Sequence, residues 1–152
     1  MKQLKDILKI FSNNRIKYLN SHTWATMSED DRVNAVKEWA EPVAKKIINE
    51  GYFRIGNHYC IRVDILELYY NEEAEEGLKD PIMYHTNDRI PKHLKDAGIY
   101  DLPYFDIGSF NLHTSGVDIT FEDPKEHYRA SFLIRGFSVF RFNGNEVIFL
   151  NE

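Results

Sequence analysis

Residues 43–70 read VAKKIINEGYFRIGNHYCIRVDILELYY, and the hydrophobic period changes within this stretch. Up to Ile48 the apolar residues recur at helical spacing: Val33, Val36, Ala40, Val43 and Ile47 form one stripe, joined by Trp39 and Ile48. After Gly51, which supplies a stop, the period shortens. Tyr52 to Ile55, the pair Gly56-Asn57 and a β-prone run from His58 to Tyr70 predict a hairpin. A helix that feeds an antiparallel hairpin points to an α+β fold and away from an alternating βαβ fold.

Upstream, Ser28 precedes Glu29-Asp30-Asp31, a serine cap followed by acids that suit the positive end of a helix. Pro42 falls inside the stripe and has no N–H to donate, so the sequence predicts a kink or restart there. Leu4, Ile7, Leu8 and Phe11 predict a short amphipathic helix ending near Asn13-Asn14. Downstream, residues 71–103 hold Glu72, Glu73, Glu75, Glu76, Gly77, Asp80-Pro81 and Pro91 with little periodicity. They read as a long acidic loop with one short helix near Pro91 to Ala97. Strands follow at Tyr104 to Leu112, Val117 to Phe121 and Ala130 to Phe137. A closing hairpin turns at Asn143-Gly144 between Val139 to Phe142 and Glu146 to Leu150. Two helices and about six strands predict helices packed on a curled, mostly antiparallel sheet or partial barrel. Residues 1–152 are expected to form one domain, helical over 1–50 and β-rich over 51–152.

A chain of 152 residues with 43% hydrophobic residues suits one substantial core. No run approaches the roughly 18–20 apolar residues of a membrane helix, and the N-terminal stretch alternates charge with apolar residues, so a cytoplasmic protein without membrane contact is expected. Cys60 is the single cysteine, which excludes an internal disulfide and suits a buried packing thiol. The net charge of −5 is uneven: residues 64–80 carry seven acidic groups and one basic group, whereas residues 1–63 carry seven and eleven. Contacts to nucleic-acid backbones draw on Lys and Arg, so strong general nucleic-acid affinity is not expected.

Side chains alternate along a strand, so Glu67 and Tyr69 share one face while Leu66 and Leu68 share the other. Arg135 sits in the apolar run Phe132-Leu133-Ile134-Arg135-Gly136 and needs a partner or a solvent-facing side. Glu67 is a candidate partner. A carboxylate at a cleft, tuned by burial and an arginine, is what a general base needs, while an exposed strand Glu beside an exposed Tyr, and a structural ion pair or barrel-rim arginine, account for the same residues. His113-Thr114-Ser115-Gly116-Val117-Asp118 joins two strands and gathers an imidazole, two hydroxyls and a carboxylate around a glycine turn, which Ser or Asp capping also explains. His85 follows the acidic loop. Its spacing to His113, Asp118 and Glu67 matches no metal signature, and neither a metal nor a cofactor is expected. There is no P-loop, no dinucleotide glycine fingerprint and no Gly-x-Ser-x-Gly elbow.

Over residues 40–142, Ala44-Lys45-Lys46-Ile47-Ile48 reaches Gly51, a hairpin delivers Glu67-Leu68-Tyr69, His85 follows on a loop, and a later strand carries Leu133-Ile134-Arg135-Gly136. In this order of parts the chain resembles the alkylpurine (3-methyladenine) DNA glycosylase family, and looks closer still to uncharacterised bacterial relatives of that fold. The resemblance implies that Glu67 deprotonates the water attacking the sugar C1′ of a modified purine, with Tyr69 and His85 stacking on the base and Arg135 orienting the glutamate. His113 and Asp118 of the glycine turn join them as candidate base-binding residues, and the resemblance implies damaged DNA or a purine nucleoside or nucleotide as partner. Three features depart from the family pattern: the 18-residue interval from Glu67 to His85 is filled with acids, the polar segment after the histidine is represented only by Asn87-Asp88-Arg89, and Gly116-Val117-Asp118-Ile119 lacks the tyrosine-glycine wedge that extrudes a base from the duplex. Two other readings follow from the same residues, a base- or small-molecule-binding module without turnover and a protein-interaction domain.

Overall fold

The structure, a computed structural model, describes residues 2–74, 85–143 and 146–149. Its elements are α1 (Lys2–Leu19), α2 (Glu29–Glu50), β1 (Tyr52–Ile55), β2 (Tyr59–Glu72), a short α3 (Lys92–Asp96), β3 (Ser109–His113), β4 (Gly116–Thr120), β5 (Tyr128–Asn143) and β6 (Glu146–Phe149). The described strands form one antiparallel sheet in the order β1-β2-β5-β4-β3, with β6 also paired to β5. The fold is therefore α+β, as the sequence predicts. Among the described residues, no helix is long and apolar enough to cross a membrane.

Helix α1 runs past Asn13-Asn14 to Leu19, further than the apolar stripe suggests. The period of Leu4, Leu8 and Phe11 is carried on by Arg15, whose side chain is buried and bridges to Glu72 at 2.8 Å and Glu126 at 3.0 Å. A charged residue thus occupies a core position because its partners wait there. In α2, the Ser28 hydroxyl accepts the Asp31 N–H at 3.2 Å. The helix continues through Pro42 as one element and does not restart: Pro42 is exposed, so the carbonyl it leaves without a donor faces water. Gly51 ends the helix with extended backbone, φ −92°, and no left-handed turn. A Cβ at this position would stand 2.4 Å from the Ile47 carbonyl oxygen, so close approach is what requires glycine.

The core lies between the helices and one face of the sheet. Phe11, fully buried, makes ring contacts with Trp39, Tyr70, Phe121 and Tyr128. Cys60 is buried. Phe53 of β1 and Phe110 of β3, from opposite ends of the strand order, meet at 5.2 Å, so the sheet bends towards closure.

The strand limits depart from the sequence reading in places. Asn71 and Glu72 belong to β2 rather than to the predicted loop, because Arg15 and the Tyr70 hydroxyl satisfy the buried Glu72 carboxylate. Residues 75–84 of the predicted acidic loop, and Gly144-Asn145 of the predicted turn, lie outside the described residues. Tyr104 to Gly108 are irregular and β3 begins only at Ser109; Tyr104 is bonded to Glu73 and the Phe105 N–H to the buried Glu122. The predicted strands at 130–137 and 139–142 are one continuous strand, β5.

One irregularity places the site. Val63 pairs with Phe137, Ile65 with Gly136 and Leu66 with Ile134, leaving Asp64 and Arg135 as extra residues on β2 and β5. These two bulges reverse which alternate residues face the helices. Val63 packs in the core on one side of the bulge, and Leu66, Leu68 and Tyr70 on the other. Glu67, Tyr69 and Asn71 are thereby turned to the opposite face. Gly136 gives the close pairing room, since a Cβ there would meet the Ile65 side chain at 3.1 Å.

Candidate functional site

The sheet face away from α1 and α2 carries a cavity of about 390 Å3, within the usual size of small-ligand sites. Its floor is built by alternation. Asp118, Thr120 and Glu122 point into it while Ile119 and Phe121 enter the core, and Ser131 and Leu133 line it from β5. The register Asp118 to Leu133 to Glu67 brings three strands together at this level.

At the rim, Glu67 accepts the Tyr69 hydroxyl at 2.5 Å and forms an ion pair with Arg135. The hydrogen bond from Arg135, then that from Tyr69, holds the Glu67 carboxyl below its ordinary range, and Glu67 in turn raises Tyr69 and Arg135. With Arg135 about half exposed, water screens the pair, and it orients the rim more than it stabilises the fold.

On the floor, His113 Nε2 lies 3.0 Å from Asp118 Oδ2, and the Ser115 N–H donates to His113 Nδ1 at 3.1 Å. With Nδ1 accepting, Nε2 of the neutral ring carries the proton, beside the Asp118 carboxyl. Burial pushes the Asp118 carboxyl above its ordinary value, and the bond from His113 opposes that only in part.

The wall carries the opposite tautomer. His85 Nδ1 stands 2.6 Å from Glu122 Oε1, and Phe105 stacks on the imidazole at 3.9 Å. Nδ1 therefore donates to the carboxylate, and Nε2 keeps the lone pair in the neutral ring. Glu122 is fixed in turn by the Phe105 N–H at 2.8 Å and by Arg129 at 3.4 Å. Arg129, with no exposed surface, also donates to Glu73 at 2.7 Å and to the Leu102 carbonyl at 2.7 Å, beneath the Tyr104 ring. Tyr104 donates to Glu73 at 2.6 Å, and its hydroxyl pKa is raised, chiefly by burial. This buried network ties residues 102–105 to the sheet and holds His85 in one orientation.

Of the residues that the sequence singles out, Tyr69, His85, His113, Asp118 and Arg135 all line the cavity, and Glu67 stands at its rim joined to two of them. Glu122, Arg129, Phe105 and Tyr104 complete the site and escape the sequence reading. The signal for Glu122 is present in the period-two series Asp118, Thr120, Glu122. Arg129 shares its strand face with Ser131 and Leu133 in the same way. Among the described residues, no three of the His, Cys, Asp and Glu side chains are placed to hold a metal ion. Comparison with protein-family models, with curated proteins and with solved structures found no match.

Proposed function

We propose that the cavity receives a purine-type base with its sugar, and that the chain hydrolyses the N-glycosidic bond between them. The observation that carries this reading is the pair of imidazole–carboxylate couples of opposite polarity on one cavity. His85 offers a lone pair at Nε2, whereas Asp118 is a carboxyl whose buried position favours its protonated form. Water attacks C1′ as the C1′–N bond breaks, and its proton passes to His85 Nε2. A neutral base leaves with a proton taken from Asp118, while an alkylated, cationic purine leaves without needing one. Phe105 and His85 supply a flat wall, and Tyr69 borders the opening.

The water-activating role that the resemblance implies for Glu67 passes in this proposal to His85. Glu67 is engaged by both Arg135 and Tyr69, and a carboxylate held below its ordinary pKa is a poor proton acceptor. Glu67 and Arg135 instead hold the rim and the sugar edge. The same proposal takes the α+β frame as a relative of the 3-methyladenine DNA glycosylase fold, supported by the order of α2, the hairpin bearing Glu67-Leu68-Tyr69, His85, and Leu133-Ile134-Arg135. The test is release of free base from N7-methylguanosine and from alkylated duplex DNA by the native protein, His85→Ala and Glu67→Gln. Release by native protein that His85→Ala abolishes supports the proposal. Binding without release from either substrate would reduce it to a base-binding module.

A further inference from the structure

We infer that the substrate is a free nucleoside without a phosphate, rather than a nucleotide or a nucleic acid; this rests on the reading of the cavity as a base-and-sugar site. A phosphate is recognised by guanidinium or ammonium groups, by backbone N–H groups or by a helix N-terminus. Among the described residues, the cations at the cavity are already committed to carboxylates. Arg135 is held by Glu67, and Arg129 is sealed beneath the wall on Glu73, Glu122 and the Leu102 carbonyl. The nearby donors are turned into the protein as well. The Phe105 N–H goes to Glu122, the Ser115 N–H to His113, and the Thr120 hydroxyl lies on the Asp106 carbonyl at 3.1 Å.

What the cavity presents to a ligand is therefore the Nε2 lone pair of His85, the Asp118 carboxyl and the excess negative charge of Glu73 and Glu122, two acids that share the one cation Arg129. Such a lining favours a heterocycle and sugar rich in N–H and O–H donors and repels a phosphate dianion. A nucleic acid brings a phosphate on each side of the target base and so doubles the demand for cations. The arginines of the β1–β2 hairpin offer no substitute: Arg62 is bonded to Asp64 at 3.0 Å, and Arg54 lies over the Phe142 ring.

The experiment is equilibrium dialysis of the native protein, at low and at moderate salt, against N7-methylguanosine, its 5′-monophosphate and a single-stranded oligonucleotide carrying the same base. The nucleoside is expected to bind about tenfold or more tighter than the monophosphate at low salt, a difference of the size that one unscreened charge contact produces. The gap should narrow as salt rises. It should also narrow in Glu67→Gln, which releases Arg135 to meet the phosphate. Equal or tighter binding of the monophosphate or the oligonucleotide would overturn the inference and leave the base-and-sugar reading standing. Binding of none of the three would remove both. A gap indifferent to salt and to Glu67→Gln would overturn the inference as argued, because size and not charge would then be excluding the phosphate.

Discussion

His85 and Glu122 form a dyad with Nδ1 to Oε1 at 2.6 Å, and the Phe105 ring lies on the imidazole while its N–H holds the far oxygen of Glu122. One aromatic residue thus fixes both members of the dyad, by stacking on one and bonding the other. Because the orientation is set before a ligand arrives, removing the imidazole should affect turnover far more than folding. His85→Ala is expected to lower single-turnover base release by about 10²–10⁴-fold, the usual contribution of a general base. Activity within threefold of native would place the base elsewhere.

Glu67→Gln separates the rim from the chemistry. The amide can still accept from Tyr69 but no longer neutralises Arg135, so the effect should fall on KM more than on kcat, with kcat reduced by less than about tenfold. Steady-state kinetics on the nucleoside decide this. A kcat loss as large as that of His85→Ala would return the water-activating role to Glu67.

Much of the frame and part of the site are legible in the sequence. The change of period at Gly51 announces the helix-to-hairpin join, and alternation puts Glu67 and Tyr69 on one face, where they are hydrogen-bonded. The pairing of Arg135 with Glu67 follows from a charge in an apolar strand. What hydrophobic patterning could not reveal are polar residues acting in place of apolar ones. Arg15 extends the buried stripe of α1, Glu72 extends β2, and Arg129 sits without exposure beneath the cavity, each because a distant partner neutralises it. A pattern read locally cannot see partners 57 or 56 residues away. Glu122 was hidden differently, because it lies one residue beyond the predicted strand Val117 to Phe121.

Asp118 gives a pH-dependent prediction for stability. Burial raises its folded pKa above the unfolded value. The protonated form is therefore the better tolerated one, and the stability it contributes is full below the unfolded pKa and is lost as pH rises through the folded pKa. Asp118→Asn, which keeps an acceptor for His113, should be more stable than native at pH 7. That advantage should vanish as pH falls below about 3.9, the ordinary aspartate value. Thermal melts across this range check it; a variant less stable than native at pH 7 would contradict the assignment.

Arg15 predicts the largest loss of stability. Removing it strands Glu72, which is fully buried, and exposes Tyr70 to an unpaired carboxylate. Arg15→Ala is expected to cost about 3–5 kcal/mol, as for other broken buried pairs. Arg15→Ala with Glu72→Ala should be less damaging than the two single losses added together, since neither charge is then left alone. Chemical denaturation of the three variants measures the coupling, and simple additivity would mean that the pair is not the unit proposed.

The most direct measurement of the central claim is a crystal structure of Asp118→Asn with guanosine bound, a neutral nucleoside whose turnover this variant slows because its base leaves only with a proton from Asp118. The account predicts the purine against the His85–Phe105 wall, with C1′ within reach of a water held by His85 Nε2 and the sugar edge towards Glu67 and Arg135. A ligand seated elsewhere, as in the groove between α1 and the Gly51 end of α2, or a cavity left empty at saturating concentration, would contradict it.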